Sequence, residues 1–174
     1  MIEFIHMSSE LFGEPRASVS SAEFRAACGR FASGVTIATA VDGDGQPHGL
    51  TVSSFTSVSL EPPLVSICLG HAVTVIDIFR AAKFFAINML ADNQQVVSQH
   101  FARKGHDRFQ GVGWSVGETG VPLLEGVLVA IECEVEQRVT AGDHDIFVGR
   151  MVATRINEGA PLVYFSGAYR KLEL

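Results

Sequence analysis

The hydrophobic positions of the chain cluster in short runs rich in β-branched residues, and such runs predict β-strands. Two of these runs are almost wholly apolar, which is typical of strands buried on both faces. Two others are long and lie on either side of a predicted turn at Gly142. The predicted strands are residues 35–41, a strand beginning near 48, 64–69, 83–90, a strand from 127 to the turn, a strand from the turn to about 156, and 161–165.

Helical periodicity is confined to three short segments. In the first, Ser20 and Glu23 are spaced for a capping box, in which each side chain bonds the main-chain N–H of the other residue. Gly34 is predicted to end this helix as a left-handed cap. Further helices are predicted at 73–81 and 93–103. The apolar residues at helical spacing in the first helix are Phe24, Ala27, Cys28 and Phe31.

This order of elements predicts a mainly β fold. A doubly wound parallel sheet needs a helix between most strands, and too few helices are present. We therefore expect an antiparallel Greek-key β-barrel of six or seven strands with peripheral helices. Residues 1–20 are predicted to form a loose N-terminal arm, and 21–174 one domain.

Composition and charge narrow the class of partner. Of the 174 residues, 47% are hydrophobic and 18% charged, which is typical of one folded domain. The net charge is −6 and no basic stripe is present, which argues against nucleic acid and anionic membranes as partners. The apolar runs are too short to cross a bilayer. Three widely spaced cysteines, an odd number, predict reduced and mostly buried thiols in a cytoplasmic protein.

The familiar cofactor and metal motifs are absent. The glycines at 43, 45 and 49 join two predicted strands, whereas a dinucleotide fingerprint opens a helix. No two of the six histidines have the spacing of a zinc-binding helix. Each histidine alone is more simply explained as a solvated or hydrogen-bonded residue, so no metal is predicted.

Residues 51–59 form a hydroxyl-rich block, with six Ser or Thr residues among three apolar ones. Ser and Thr often cap turns and strand ends, which is one explanation of the block. The other is an uncharged pocket that hydrogen-bonds a polar ring or a phosphate. The residue pattern alone leaves both open.

Three titratable residues, Asp143, His144 and Asp145, precede an apolar run. In an extended strand, Asp143 and Asp145 would share one side and His144 would face the other. The three then cannot converge on one metal. Gly142 and Asp143 suit a tight turn, and His144 is either a structural histidine or a site residue.

Four blocks, residues 24–37, 49–64, 85–90 and 142–150, closely resemble the flavin reductase-like family in both order and spacing. The family comprises the reductase components of two-component flavin monooxygenases and their flavoredoxin relatives. The resemblance runs from about residue 21 to 172. It implies an FMN-binding split barrel, a homodimer, and FMN or FAD that is reduced by NADH or NADPH.

The resemblance also implies the site residues. His144 is expected to lie beside the nicotinamide, to position it and to donate a hydrogen bond, with a neighbouring carboxylate orienting the ring. The expected flavin contacts are Thr51, Val52, Ser53, Ser54, Ser57 and Val58 for the ring, Cys68, Leu69, Ala72, Val73 and Thr74 for the ribityl chain and phosphate, His100, Phe101 and Ala102 for the other side of the phosphate, and Tyr169.

The function that the resemblance implies is an NAD(P)H:flavin oxidoreductase that supplies reduced flavin to a separate monooxygenase. Transient contact with that monooxygenase is expected. One alternative is a flavoredoxin-type carrier with a permanently bound flavin and no nicotinamide turnover. Another is a flavin- or heme-sensing barrel without turnover.

Overall fold

The computed structural model describes residues 17–105 and 107–172, and this part of the chain is dominated by strands. The helices are α1 (Ser21–Cys28), α2 (Ile76–Ala81) and α3 (Gln95–Ala102). The strands are β1 (Ser33–Gly34), β2 (Thr36–Val41), β3 (Pro47–Val52), β4 (Thr56–Ser59), β5 (Leu64–Gly70), β6 (Phe84–Met89), β7 (Trp114–Val116), β8 (Pro122–Leu124), β9 (Val129–Ala141), β10 (His144–Ile156), β11 (Val163–Phe165) and β12 (Ala168–Arg170).

Seven strands form one antiparallel sheet in the order β3-β2-β6-β9-β10-β5-β4. Residues from the first strand and the second-last strand of this order share one hydrophobic core. Leu50 of β3 packs in the same cluster as Val65 and Ile67 of β5, together with Phe147 of β10. The sheet must therefore curl around its own interior, as a barrel does. The predicted mainly β antiparallel barrel with peripheral helices is confirmed.

A second core attaches α3 to the outside of the barrel. Phe101 is fully buried in it and packs with Leu123 of β8 and Leu162 before β11. A Cβ on Gly49 would lie 3.0 Å from the Phe101 ring. The absence of that Cβ lets α3 lie directly against β3, beside the hydroxyl-rich block.

The first helix begins as predicted and ends earlier. The capping box is confirmed, since the Ser20 N–H donates to the Glu23 carboxylate at 2.9 Å and the Glu23 N–H to the Ser20 hydroxyl at 3.2 Å. The cap predicted at Gly34 is wrong. The helix ends at Cys28, and Gly34 pairs with Val163 in a small outer sheet. This long-range pairing has no signal in the local pattern.

The expectation of mostly buried thiols holds for one cysteine of three. Cys133 is buried, and burial raises the pKa of its thiol to about 12. Cys68 is partly exposed. Cys28 is exposed because α1 buries none of its residues.

The predicted arm, residues 1–20, lies almost wholly outside the described residues, and the single domain at 21–174 stays a prediction. Among the described residues no helix is long and apolar enough to span a membrane. Four features of the described fold were not predicted: β1, β4, β12 and the small β7–β8 hairpin. The hairpin lies in a segment for which no helix or strand was predicted.

A buried carboxylate holds that hairpin in place. Glu132 on β9 is 2% exposed and accepts the N–H groups of Glu118 (2.9 Å) and Thr119 (2.7 Å) and the Thr119 hydroxyl (2.6 Å). Burial opposes ionisation of Glu132, but the bonds from Thr119 and Glu118 outweigh it and hold the pKa below its usual range.

We expect Glu132→Gln to lower the free energy of unfolding by about 2–3 kcal/mol at pH 7, because a carboxylamide leaves one of these donors unmatched. A depressed folded-state pKa contributes stability above the unfolded value, about 4.3, that is lost as pH falls through the folded value. The deficit should therefore shrink near pH 3, as measured by urea unfolding at both pH values. The exposed Glu158→Gln is the matched control. An equal deficit at both pH values would contradict this account of Glu132.

Candidate functional site

The hydroxyl-rich block occupies the end of β3, the linker 53–55 and β4. The linker pairs with no strand in the described structure. Its Ser54 hydroxyl accepts the Cys68 N–H at 2.9 Å and donates to the Cys68 carbonyl at 3.1 Å. On the far side, Ser57 of β4 pairs with Val65 of β5. The block and the segment beginning at Cys68 are thus brought side by side.

A second group of bonds joins the block to α3 and to β12. The Thr51 hydroxyl donates to the Ser98 carbonyl at 2.7 Å. The Ser98 side chain, fully buried, lies 2.8 Å from the Tyr169 hydroxyl. Two predicted site residues from distant parts of the chain, Thr51 and Tyr169, therefore meet through Ser98, which the sequence did not single out.

His144 begins β10 directly beside the end of β5. It pairs with Gly70, and a Cβ on Gly70 would lie 3.4 Å from Nε2 of His144. Its Nδ1 lies 2.7 Å from the Asp143 carboxylate. Since a carboxylate only accepts, Nδ1 carries the hydrogen and Nε2 remains for a ligand. The hydrogen bond from His144 holds the pKa of Asp143 below its usual range.

Asp145 has a different environment from Asp143. It is 4% exposed, and its carboxylate accepts from Arg80 Nε (2.7 Å) and the Thr140 hydroxyl (2.9 Å) and lies 2.9 Å from His71 Nε2. The Arg80 hydrogen bond is the main reason that the pKa of Asp145 lies far below its usual range, followed by the bond with His71.

The expectation that Asp143 and Asp145 share one side fails because Asp143 belongs to the turn and not to the strand. The turn itself is confirmed, with Gly142 at a positive φ of 62°. Within the described residues, no three His, Cys, Asp or Glu side chains gather as metal ligands. The network of His71, Arg80, Thr140 and Asp145 carried no sequence signal, since His71 and Arg80 lie far along the chain from Thr140 and Asp145.

The remaining predicted residues divide by burial. The side chains of Val52, Leu69 and Phe101 lie in the two cores and are therefore not exposed to a ligand. Val73 and His100 are partly buried. Exposed residues are Ser53, Ser57, Val58, Ala72, Thr74 and Ala102. The roles assigned to all of these residues stay predictions.

The arrangement offers hydroxyls, main-chain amides and one histidine with its carboxylate. Such groups hydrogen-bond a polar ring without adding net charge. His144 lies beside Gly70, two residues along β5 from Cys68, the residue that Ser54 contacts. This arrangement is suited to hydrogen-bonding and positioning a bound ring.

Comparison with known proteins gives a consistent result. Residues 28–173 match the model of the flavin reductase-like domain. An NADH-dependent flavin reductase from a Rhodococcus species is 42% identical over 170 residues, covering 95% of this chain and 94% of the relative. A probable flavin reductase from Rhizobium meliloti is also 42% identical over 163 residues, covering 94% of this chain, which spans only 50% of that relative's length.

A solved structure agrees with the sequence comparison. The NADH:FAD oxidoreductase of Streptomyces globisporus, in complex with NAD and FAD fragments, superposes with a TM-score of 0.83 at 35% identity, covering 87% of this chain and 92% of that one. The resemblance predicted from the four sequence blocks is therefore confirmed, and the chain belongs to the flavin reductase-like family.

Proposed function

We propose that the protein is an NAD(P)H-dependent flavin reductase that supplies reduced FMN or FAD to a separate flavin-dependent monooxygenase. The prediction of a flavin reductase is confirmed by relatives of that name that match over nearly the whole chain. A carrier without nicotinamide turnover receives no such support. The observation that carries the proposal is the position of His144 beside Gly70, two residues along β5 from Cys68, which is bonded to Ser54 of the hydroxyl-rich block.

The residues present fit a flavin. The flavin, when bound, supplies the hydride-accepting ring, and the nicotinamide supplies the hydride. The linker 53–55 offers main-chain N–H groups outside the strand ladder, and the Ser53 and Ser57 side chains are exposed beside it. We assign these groups to the polar edge of the ring. Donors fixed by the barrel need no reorganisation when charge develops on a bound ring.

His144 is assigned to the nicotinamide. The Asp143 carboxylate lies within hydrogen-bond distance of Nδ1 and so orients the His144 ring. Nε2, beside Gly70, is left to contact a ligand. A hydrogen bond donated from Nε2 requires that this nitrogen also carries a hydrogen. The chain thus supplies orientation and one hydrogen bond, while the barrel excludes water from the enclosed side.

The direct test mixes the purified protein with NADH or NADPH and with FMN or FAD, and follows the nicotinamide absorbance. We expect steady consumption of one nicotinamide nucleotide that depends on added or bound flavin. A protein that binds flavin but consumes neither nucleotide would contradict the proposal.

A homodimer and a cytoplasmic location are part of the same proposal. α1 buries none of its residues in the chain, and Phe24 and Phe31 are 59% and 80% exposed. Large apolar side chains left in water mark contact surfaces. We infer that α1 is covered by a second copy, which would also shield the flavin from water. The free thiols support the cytoplasmic location.

We expect sedimentation at low micromolar concentration to give a dimer, and Phe31→Ser to shift it towards monomer because the change removes apolar contact area. Glu158→Gln, at an exposed polar position, is the comparison and should leave the dimer intact. A wild-type species near 18.7 kDa alone would contradict the dimer.

A further inference from the structure

A cleft of about 760 Å³ lies next to the predicted flavin residues. Its walls come from the start of β3, the residues before α2, and the segment that follows α3. Thr74, predicted to approach the flavin phosphate, lines its near end. The cleft therefore begins where the predicted phosphate segment ends, and its size lies within the range of small-molecule sites, roughly 300–1,000 Å³.

The cleft contains a fixed cation. Arg108 is half-buried, donating from Nη1 to the Gly49 carbonyl (2.9 Å) and from Nε to the Arg103 carbonyl (3.1 Å). Burial lowers its pKa. The salt bridges within the described part of the chain do not include Arg108. The neighbouring Asp107 carboxylate accepts the Phe109 N–H. A half-buried guanidinium held by neutral carbonyls is suited to a phosphate.

Flat rings and an amide also line the cleft. Trp114 packs edge-to-face on Phe109, with ring centroids 5.6 Å apart, and stays 36% exposed at the cleft. The His48 ring is held by Asp42 at 2.8 Å and also lines the cleft. Nucleobases stack on such rings, and the amide of Gln110 in the same wall is able to hydrogen-bond a base edge.

We propose that this cleft binds the adenosine monophosphate half of FAD, and that the protein prefers FAD to FMN. The inference rests on the proposed function and specifies which of the two flavins the protein prefers. Adenosine phosphate also occurs in NADH, so the chemistry of the cleft alone fits both. The continuity with Thr74 favours FAD, because a flavin phosphate at that segment places the second half of FAD in the cleft.

The test compares equilibrium binding of FAD and FMN to the wild type, Arg108→Gln, Trp114→Ala and the matched control Arg30→Gln, at an exposed position outside the cleft. We expect the wild type to bind FAD about tenfold more tightly than FMN, each cleft variant to weaken FAD about tenfold, and FMN to change less than about twofold. The control should bind both flavins as the wild type does. Circular dichroism confirms that each variant is folded.

Each other outcome is decisive. Equal losses for FAD and FMN in Arg108→Gln would place Arg108 at the flavin's own phosphate and overturn the assignment. A raised KM for NADH with unchanged FAD affinity would assign the cleft to the nicotinamide nucleotide and overturn it too. A wild type that binds FAD no more tightly than FMN, yet reduces both, refutes this inference and leaves the reductase standing, whereas a wild type that binds neither refutes both.

A measurement on the wild type alone tests the proposal without relying on the folding of any variant. Trp114 is the single tryptophan of the sequence. Its fluorescence should be quenched by 5′-AMP, and bound 5′-AMP should weaken FAD binding while leaving FMN binding unchanged. No quenching, or equal competition against both flavins, would overturn the proposal.

Discussion

Replacing His144 by alanine is expected to lower kcat/KM for the nicotinamide nucleotide about tenfold, mostly through a raised KM, which corresponds to the loss of one hydrogen bond. Flavin affinity should stay within about twofold of the wild type, because the hydroxyl-rich block and the linker 53–55 are untouched. Steady-state kinetics and flavin titration on the same preparation give both numbers.

A loss of folding stability is not expected to explain the lower kcat/KM of His144→Ala. The His144 side chain is 48% exposed and that of Asp143 is 94% exposed, and exposed pairs contribute little to folding. His144→Gln retains a hydrogen-bonding amide and should recover part of the activity. Asp143→Asn should produce a smaller loss than His144→Ala, because it only loosens the ring. A His144→Ala protein that loses flavin or unfolds, with NADH kinetics unaltered, would make His144 a barrel residue.

Gly149→Ala is expected to cause the largest loss of stability. Gly149 lies in β10, where a Cβ would come within 2.6 Å of the Phe85 ring and 2.7 Å of Cys133 Cβ. Both neighbours are fully buried in the barrel core. Neither has space to move, so the added methyl forces strain of about 3 kcal/mol or more in the folded state.

The matched control is Gly43→Ala, in the turn between β2 and β3, where a Cβ would meet no atom within 4 Å. We expect this change to leave the free energy of unfolding within about 0.5 kcal/mol of the wild type. Denaturant unfolding of both variants gives the comparison. Equal stability of the two proteins would show that the barrel accommodates the methyl group and contradict the close packing.

Much of the fold was predictable because it depends on short segments of the sequence. The capping box of Ser20 and Glu23, the turn at Gly142 and the apolar runs of β5 and β6 depend on neighbours within a few residues. Such local preferences survive in any tertiary context. The end of α1 was predicted at the wrong residue because Gly34 pairs in a strand with Val163, which lies far along the chain.

The candidate site was predictable only in part. Its residue types and the four matching blocks pointed to the hydroxyl-rich block and to His144, and the structure brings these near each other through the pairing of β5 with β10. The different environments of Asp143 and Asp145 were not predictable. Both are aspartates beside one histidine, and the two partners of Asp145 that lower its pKa most, Arg80 and His71, are 65 and 74 positions away.

The sequence by itself determined the class of fold, the family and the type of chemistry, because hydrophobic period, turn residues and ordered blocks are properties of short segments. Only the tertiary structure decided that Asp145 is a buried anchor, that Gly149 has no room for a methyl group, and that Arg108 and Trp114 share a cleft with Thr74. These three residue environments depend on which distant segments of the chain pack together. Long-range packing is a property of the whole folded chain, so no local pattern records it.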